Sequence, residues 1–81
     1  MKRILIVEDE LLIAGNLERM LVKHGYEEPA IAIDYNQAIE YLQAQKFDLA
    51  LLDVNLSEGH SGVEVAKYIN ENIDIPFMYI T

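Results

Sequence analysis

Short apolar runs alternate along the chain with longer segments whose apolar residues recur at helical spacing. The apolar runs at 4–7 and 47–52 are rich in Ile, Val and Leu, which is typical of strands buried on both faces. A weaker strand is predicted at 29–33, and a fourth strand at 77–81. Pro29 favours an edge position for the first of these, because an edge strand tolerates a missing hydrogen-bond donor.

Three helices are predicted between the strands. The first covers 10–24, with its inward residues at helical spacing, and Gly25 is a stop signal. The second is capped by Asn36 and continues to about residue 45. The third begins with a capping box at 61–64 and ends before Pro76, because a residue that precedes proline avoids helical geometry. The inward residues of the first helix are Ile13, Leu17, Met20 and Leu21.

The predicted order is strand, helix, strand, helix, strand, helix, strand. Alternation of this kind predicts an α/β domain with a parallel sheet, right-handed crossovers and helices on both faces of the sheet. Ligands in such sheets bind beyond the carboxyl ends of the strands, at the point where the strand order reverses. The residues that follow each strand are therefore the candidates for chemistry.

Composition narrows the classes of function. The chain has no cysteine, which excludes disulfides and thiolate metal sites and fits a cytoplasmic protein. Its formal net charge is −8, so binding to nucleic acid or to anionic lipid is disfavoured. The apolar runs are too short to span a bilayer, and the N-terminus lacks the pattern of a signal peptide.

Acidic residues follow two of the predicted strands, and a hydroxyl ends another. Glu8, Asp9 and Glu10 follow the first strand, Asp53 follows the third, and Thr81 ends the fourth. If the first and third strands are neighbours, their ends lie about 5 Å apart. Carboxylates that close repel one another unless a cation neutralises them, and a set of oxygen ligands favours Mg²⁺ over zinc.

One carboxylate in such a cluster can act as a nucleophile toward phosphorus. Asp53 is the candidate, because it follows an apolar strand and precedes a long loop that leaves its side chain open to a partner. Thr81 is a candidate donor to a phosphoryl oxygen. Taken singly, each of these residues is more often a solvated turn residue, a helix cap or an ordinary strand residue. Their joint placement at the ends of separate strands favours a site.

Four segments together resemble the signature of response-regulator receiver domains in two-component systems: ILIVEDE, LALLDVNL, GHSGVEVA and IPFMYIT. The resemblance covers the whole chain, and its motifs are loose singly but specific as an ordered set. It implies a flavodoxin-like, doubly wound fold with strand order 2-1-3-4-5. The present chain covers this order as far as 2-1-3-4, as one partial receiver domain over 1–81.

The resemblance also implies roles for particular residues. Glu8 and Asp9 match the acidic pair that binds Mg²⁺, and Asp53 matches the phosphoacceptor. Asn55 matches the residue whose main-chain carbonyl is a further metal ligand, and Thr81 matches the switch hydroxyl. The implied partner is a histidine kinase or a histidine phosphotransfer protein, whose phosphohistidine donates the phosphoryl group. Receivers also catalyse their own dephosphorylation.

The chain departs from the family in three ways. Glu8 stands where the family more often has Asp, and Ser57 stands where a proline is common. A complete receiver continues for about 40 further residues, within the usual domain size. The family lysine that follows the fifth strand is absent, so we expect this chain alone to be phosphorylated inefficiently.

The fourth strand is expected to be an exposed apolar edge, which predicts a homo-oligomer or a swapped assembly. Other functions fit the sequence less well than that of a receiver. A haloacid-dehalogenase-like phosphatase needs an Asp-x-Asp pattern after the first strand, and Glu8-Asp9-Glu10 does not supply it. A flavodoxin-type site needs a phosphate-binding loop there, and three acids would repel the flavin phosphate. A pseudo-receiver that binds neither metal nor phosphate remains the alternative.

Overall fold

The computed structural model describes residues 2–56 and 62–80 of the chain. Strands and helices alternate through this part in the predicted order. The elements are β1 (Ile4–Val7), α1 (Leu11–Lys23), β2 (Ala30–Ala32), α2 (Tyr35–Ala44), β3 (Leu49–Leu52), α3 (Gly62–Asn72) and β4 (Phe77–Tyr79). None of the described helices has the length and apolar character needed to cross a membrane.

The sheet has the order β2-β1-β3-β4, and every pair of neighbouring strands is parallel. This confirms the predicted incomplete flavodoxin-like α/β fold, including the edge position of the strand that follows Pro29. In the register of the central pair, Val7 lies opposite Leu52. The chain therefore leaves β1 and β3 at the same height and on the edge where the strand order reverses.

The two central strands, β1 and β3, are buried on both faces of the sheet, and β1 is the more completely buried of the two. Its four residues are all buried, and alternate side chains point to opposite faces. Leu5 and Val7 pack with residues of α2 and α3, whereas Ile4 and Ile6 pack under α1. Burying one such aliphatic side chain contributes about 1.5–3 kcal/mol. The apolar runs predicted from the sequence thus form the buried core directly below the strand ends that carry the acidic residues.

The predicted start of α2 was wrong by two residues. Asp34, and not Asn36, is the N-cap: its Oδ1 accepts a hydrogen bond of 2.8 Å from the Gln37 backbone N–H. The Gln37 side chain reaches back and accepts a bond of 3.0 Å from the Ile33 N–H. Asp34 prevails because Gln37, three positions later, donates its N–H to the Asp34 carboxylate and binds back to the residue before the cap, in a pattern close to a capping box.

The predicted end of α1 is confirmed. Gly25 has φ 93°, and its N–H donates to the Val22 carbonyl at 3.1 Å, while the Tyr26 N–H donates to the Leu21 carbonyl at 3.0 Å. These two bonds form a Schellman motif, which needs a left-handed residue at the position of the glycine. Ser61, the first residue of the predicted capping box of α3, lies outside the described residues.

Two apolar surfaces are exposed: one in α1, against its predicted helical pattern, and one in β4, as expected for an edge strand. Met20, predicted to face inward, is half-exposed, because α1 contacts the sheet through Ala14, Leu17 and Leu21. In β4, Met78 and Tyr79 are exposed, and within the described residues this strand pairs with β3 alone. Self-association through β4 stays a prediction.

Replacing Asp34 by Ala should lower the free energy of unfolding by about 1 kcal/mol, because the Gln37 N–H loses its capping acceptor. Asn36→Ala is the matched control, since Asn36 is an exposed position inside the helix. Urea denaturation followed by circular dichroism measures both variants. Equal losses in the two variants would contradict the assignment of Asp34 as the cap.

Candidate functional site

The ends of β1 and β3 bring three acidic side chains together. Glu8 and Asp53 each come directly after their strand, and Asp9 follows Glu8. The strand ladder continues past Val7, whose carbonyl accepts a 2.9 Å hydrogen bond from the Asp53 N–H. One carboxylate oxygen from each of Glu8, Asp9 and Asp53 lies within 4.8 Å of the others. Proximity of these residues, on which the predicted site depends, is therefore a feature of the fold.

The cluster is largely withdrawn from solvent. Glu8 has no exposed surface, Asp53 is 6% exposed, and Asp9 is partly exposed. Burying a charged carboxylate is costly unless it is paired or hydrogen-bonded. Three such groups in one small volume therefore require a proton or a cation.

Backbone amides hold two of the carboxylates in place. The Glu10 N–H donates to Glu8 Oε1, and the Asn55 N–H donates to Asp53 Oδ1, each at 3.1 Å. In the second case an Asp side chain bonds to the backbone two residues further on, as in an Asx turn. The other oxygen of Glu8, Oε2, is buried and lacks a hydrogen-bond partner among the described residues.

Burial raises the pKa of Glu8 from 4.5 to about 7, because the ionised form loses its hydration. The Glu10 N–H opposes this shift, while the nearby carboxylates of Asp53 and Asp9 raise the pKa further, because they repel the ionised form of Glu8 and can accept a hydrogen bond from its protonated form. Near neutral pH Glu8 can therefore carry a proton, which its hydroxyl would donate to a neighbouring carboxylate.

A divalent cation is the other way to satisfy these oxygens. The donors are all carboxylates, which are hard ligands, and Glu8 Oε2 is buried without a partner while lying in the same cluster. The described residues offer no competing histidine or sulfur ligand at this place. The residues present therefore fit Mg²⁺ or a similar hard cation.

Two further predicted site residues, Asn55 and Thr81, are not among the three clustered carboxylates. Asn55 adjoins the cluster, since its N–H binds Asp53; the role of its main-chain carbonyl stays a prediction. Thr81 lies outside the described residues. The Ile80 N–H donates to the Leu52 carbonyl at 2.9 Å, so the chain follows β3 as far as the residue that precedes Thr81.

Gly62 belongs to the surroundings of the site in a way that the sequence pattern did not reveal. It is the buried first residue of α3 and does not have a positive φ, so a turn conformation is not what requires a glycine here. A Cβ at this position would lie 2.3 Å from the Asp53 carbonyl oxygen. Only a glycine allows α3 to begin so close to Asp53.

Fold and site together define a doubly wound α/β domain with an acidic pocket where its strand order reverses. The sequence matches the family model of the response regulator receiver domain over residues 4–81. The chain therefore belongs to the response-regulator receiver family. This membership decides against the phosphatase and flavodoxin-type alternatives.

Curated relatives are longer than the chain. It is 40% identical over 78 residues to the transcriptional regulatory protein YvrH of Bacillus subtilis, covering 96% of the chain and 32% of that protein. It is 35% identical over 80 residues to the transcriptional regulatory protein DltR of Streptococcus agalactiae, covering 98% of the chain and 35% of that protein. The chain thus spans about a third of the length of these relatives.

Solved receiver structures have the same fold. The receiver domain of the response regulator PhyR from Erythrobacter litoralis matches with a TM-score of 0.90 and 34% identity, over 99% of this chain and 62% of that one. The response regulator TrrA from Thermotoga maritima, solved in complex with Mg²⁺ and beryllofluoride, matches with a TM-score of 0.85 and 34% identity. The match covers 98% of this chain and 70% of that one.

The raised pKa of Glu8 predicts that the metal-free chain loses stability as the pH rises. The folded state binds this proton more tightly than an unfolded chain does, so its contribution is complete below about pH 4.5 and is lost through about pH 7. Each pKa unit corresponds to about 1.4 kcal/mol, which gives a loss on the order of 3 kcal/mol.

Urea unfolding with a chelator at about pH 5 and about pH 8 measures this loss. Glu8→Gln is the control, because it keeps the shape and the hydrogen-bond donor but does not titrate. The variant should be more stable than the parent at the higher pH and less dependent on pH. An unchanged pH dependence in the variant would show that other groups carry it.

Proposed function

We propose that the chain is the phosphoacceptor part of a two-component response regulator that acts in the cytoplasm. With Mg²⁺ bound, Asp53 accepts a phosphoryl group from a phosphohistidine on a histidine kinase or a histidine phosphotransfer protein. The domain also catalyses its own dephosphorylation, and its phosphorylation state controls an output. The single observation that carries this proposal is the meeting of Glu8, Asp9 and Asp53 within 4.8 Å at the end of the sheet.

Three side chains and one main-chain group hold the metal in this proposal. Glu8, Asp9 and Asp53 contribute carboxylate oxygens, and Asn55 contributes its carbonyl oxygen. Bound Mg²⁺ supplies neutralisation of the charge on the acids and on the incoming phosphoryl oxygens. The partnerless Glu8 Oε2 supports this assignment, because a buried carboxylate oxygen needs either a proton or a cation.

Asp53 is better suited than its neighbours to attack phosphorus. Glu8 is fully buried and its pKa of about 7 leaves it partly protonated near neutrality, which makes it a poor nucleophile. Asp53 has some exposure, and the Asn55 N–H fixes its orientation. A carboxylate oxygen of Asp53 forms the new bond to phosphorus, the P–N bond of the donor breaks, and the departing imidazole nitrogen keeps the electron pair. The Thr81 hydroxyl would then donate to a phosphoryl oxygen.

An exposed apolar surface beside the site favours a protein as the donor. Leu11 and Leu12, in the first turn of α1, are 69% and 76% exposed, the highest values among the large apolar side chains of the described residues. They come directly after the acidic segment. We propose that a protein donor contacts this surface, because burying it would stabilise the encounter.

The relatives support a regulatory output without fixing its form. YvrH and DltR are transcriptional regulatory proteins, and a PhyR structure from Bartonella quintana is in complex with an anti-sigma factor. In TrrA, Mg²⁺ and beryllofluoride occupy the complex together. For the present protein, we propose signal output by phosphorylation and leave the output partner open.

Mg²⁺ should stabilise the chain against urea at neutral pH. A ligand that binds only the folded state stabilises it by about 2.7 kcal/mol at a hundredfold excess over its Kd. Asp53→Asn and Glu8→Gln should each abolish most of this gain, because each removes a ligand charge. Asp74→Asn is the matched control, as Asp74 is an exposed carboxylate in the loop before β4, at the opposite edge of the sheet.

The unfolding midpoint with and without MgCl₂ is the measurement for all four proteins. The proposed site is supported if Mg²⁺ stabilises the parent and Asp74→Asn but stabilises neither Asp53→Asn nor Glu8→Gln. If Mg²⁺ stabilises none of them, the pseudo-receiver alternative is favoured. If it stabilises all equally, the cation binds elsewhere.

Phosphoramidate, which contains the same type of P–N bond as phosphohistidine, should transfer one phosphoryl group to the protein in the presence of Mg²⁺. Intact-mass spectrometry detects the adduct, and a chelator should prevent its formation. Asp53→Asn should not form the adduct, whereas Asp74→Asn should form it at the parental rate. An adduct of equal yield on Asp53→Asn would assign the phosphoacceptor to another residue.

A further inference from the structure

The start of α3 lies against the backbone of Asp53 more closely than any side chain would allow. A Cβ on Gly62 would be 2.3 Å from the Asp53 carbonyl oxygen, 2.9 Å from the carbonyl carbon and 3.2 Å from the Leu52 Cβ. The first two neighbours are backbone atoms, which cannot move aside by a side-chain rotation. Gly62 is therefore required by close approach and not by its backbone conformation.

A hydrogen bond joins the same two segments. The Gly62 N–H donates to the Val54 carbonyl at 3.3 Å. That carbonyl belongs to the peptide unit whose other end is the Asn55 N–H, and this N–H donates to Asp53 Oδ1 at 3.1 Å. One planar peptide thus binds α3 on one side and the carboxylate of Asp53 on the other.

A peptide unit is rigid, so its two hydrogen bonds are not independent. If the Val54 carbonyl turns, the Asn55 N–H turns with it and the hydrogen bond from this N–H to Asp53 Oδ1 is lost. The contact of Gly62 with the Asp53 carbonyl limits the preceding peptide in the same way. The position of α3 consequently fixes the direction of the Asp53 side chain.

We infer that Gly62 is a positioning residue for the phosphoacceptor, acting through the peptide between Val54 and Asn55. The inference rests on the proposed function for its consequence in metal binding, whereas the coupling itself is a property of the metal-free fold. In the reverse direction, a change at the carboxylate of Asp53 is transmitted to the first turn of α3.

Gly62→Ala tests whether the start of α3 positions the Asp53 side chain. The added methyl group displaces the Asp53–Asn55 backbone, so hydrogen-exchange protection of the Asn55 N–H should fall, and Mg²⁺ affinity should fall by about tenfold or more, as for other residues that orient metal ligands. Val63→Ala is the neighbouring control, because Val63 is half-exposed on the same turn. Ile69→Val is a control for stability alone, since Ile69 is buried in α3 away from the acids.

The readouts separate positioning from a merely structural role. If Gly62→Ala is destabilised to the same extent as Ile69→Val but keeps parental Asn55 protection and parental Mg²⁺ affinity, the inference is overturned. If the parent protein itself does not bind Mg²⁺, the proposed function fails, and Asn55 protection still decides the positioning role.

Asp53→Ala tests whether a change at Asp53 reaches the first turn of α3. This test does not depend on whether Gly62→Ala folds. Removing the carboxylate frees the Asn55 N–H, and the Gly62 amide resonance should shift in the ¹⁵N–¹H spectrum of the metal-free protein more than that of Ile69. A Gly62 resonance that stays in place would show that the peptide does not connect the two sites, and would overturn the inference.

Discussion

Parallel pairing of β1 with β3 is the constraint on which the rest of the structure depends. It holds Glu8 beside Asp53, against the repulsion between their carboxylates and the cost of removing them from water. The apolar burial beneath them opposes that cost, because all four residues of β1 lie in the core. A shift of the pairing by one residue would exchange the faces of every side chain in β1 and is strongly disfavoured. Folding of this core therefore always brings the carboxylates of Glu8 and Asp53 together.

The same arrangement leaves the carboxylates of the site without full neutralisation or hydrogen bonding in the metal-free protein. The pKa of Glu8 is raised to about 7, and its Oε2 is buried without a partner in the described part of the chain. A fold that maximised its own stability would not place three acids at one strand edge. Local conflict of this kind is expected where a protein binds a ligand that resolves the conflict. The cation and the phosphoryl group of the proposed function are ligands of that kind.

The sequence predicts the sheet and the acidic cluster because both depend on the order of strands along the chain. Continuous apolar runs define the strands, and the rules for parallel sheets then bring Glu8, Asp9 and Asp53 to one edge. The start of α2 could not be chosen by residue type alone, since Asp34 and Asn36 are both good caps; the spacing from Asp34 to Gln37 was the available signal. The pKa of Glu8 was not predictable, because it follows from the depth of burial.

The role of Gly62 was hidden from the sequence for a different reason. Residues 54–61 separate it from Asp53, and only the three-dimensional path of the chain shows that its missing Cβ faces the Asp53 carbonyl. Leu56 is buried in the core shared by α2 and α3, and Gly62 lies against the Asp53 backbone. The peptide between Val54 and Asn55 binds both α3 and the Asp53 carboxylate, so that α3 belongs to the surroundings of the acidic cluster as well as to the core.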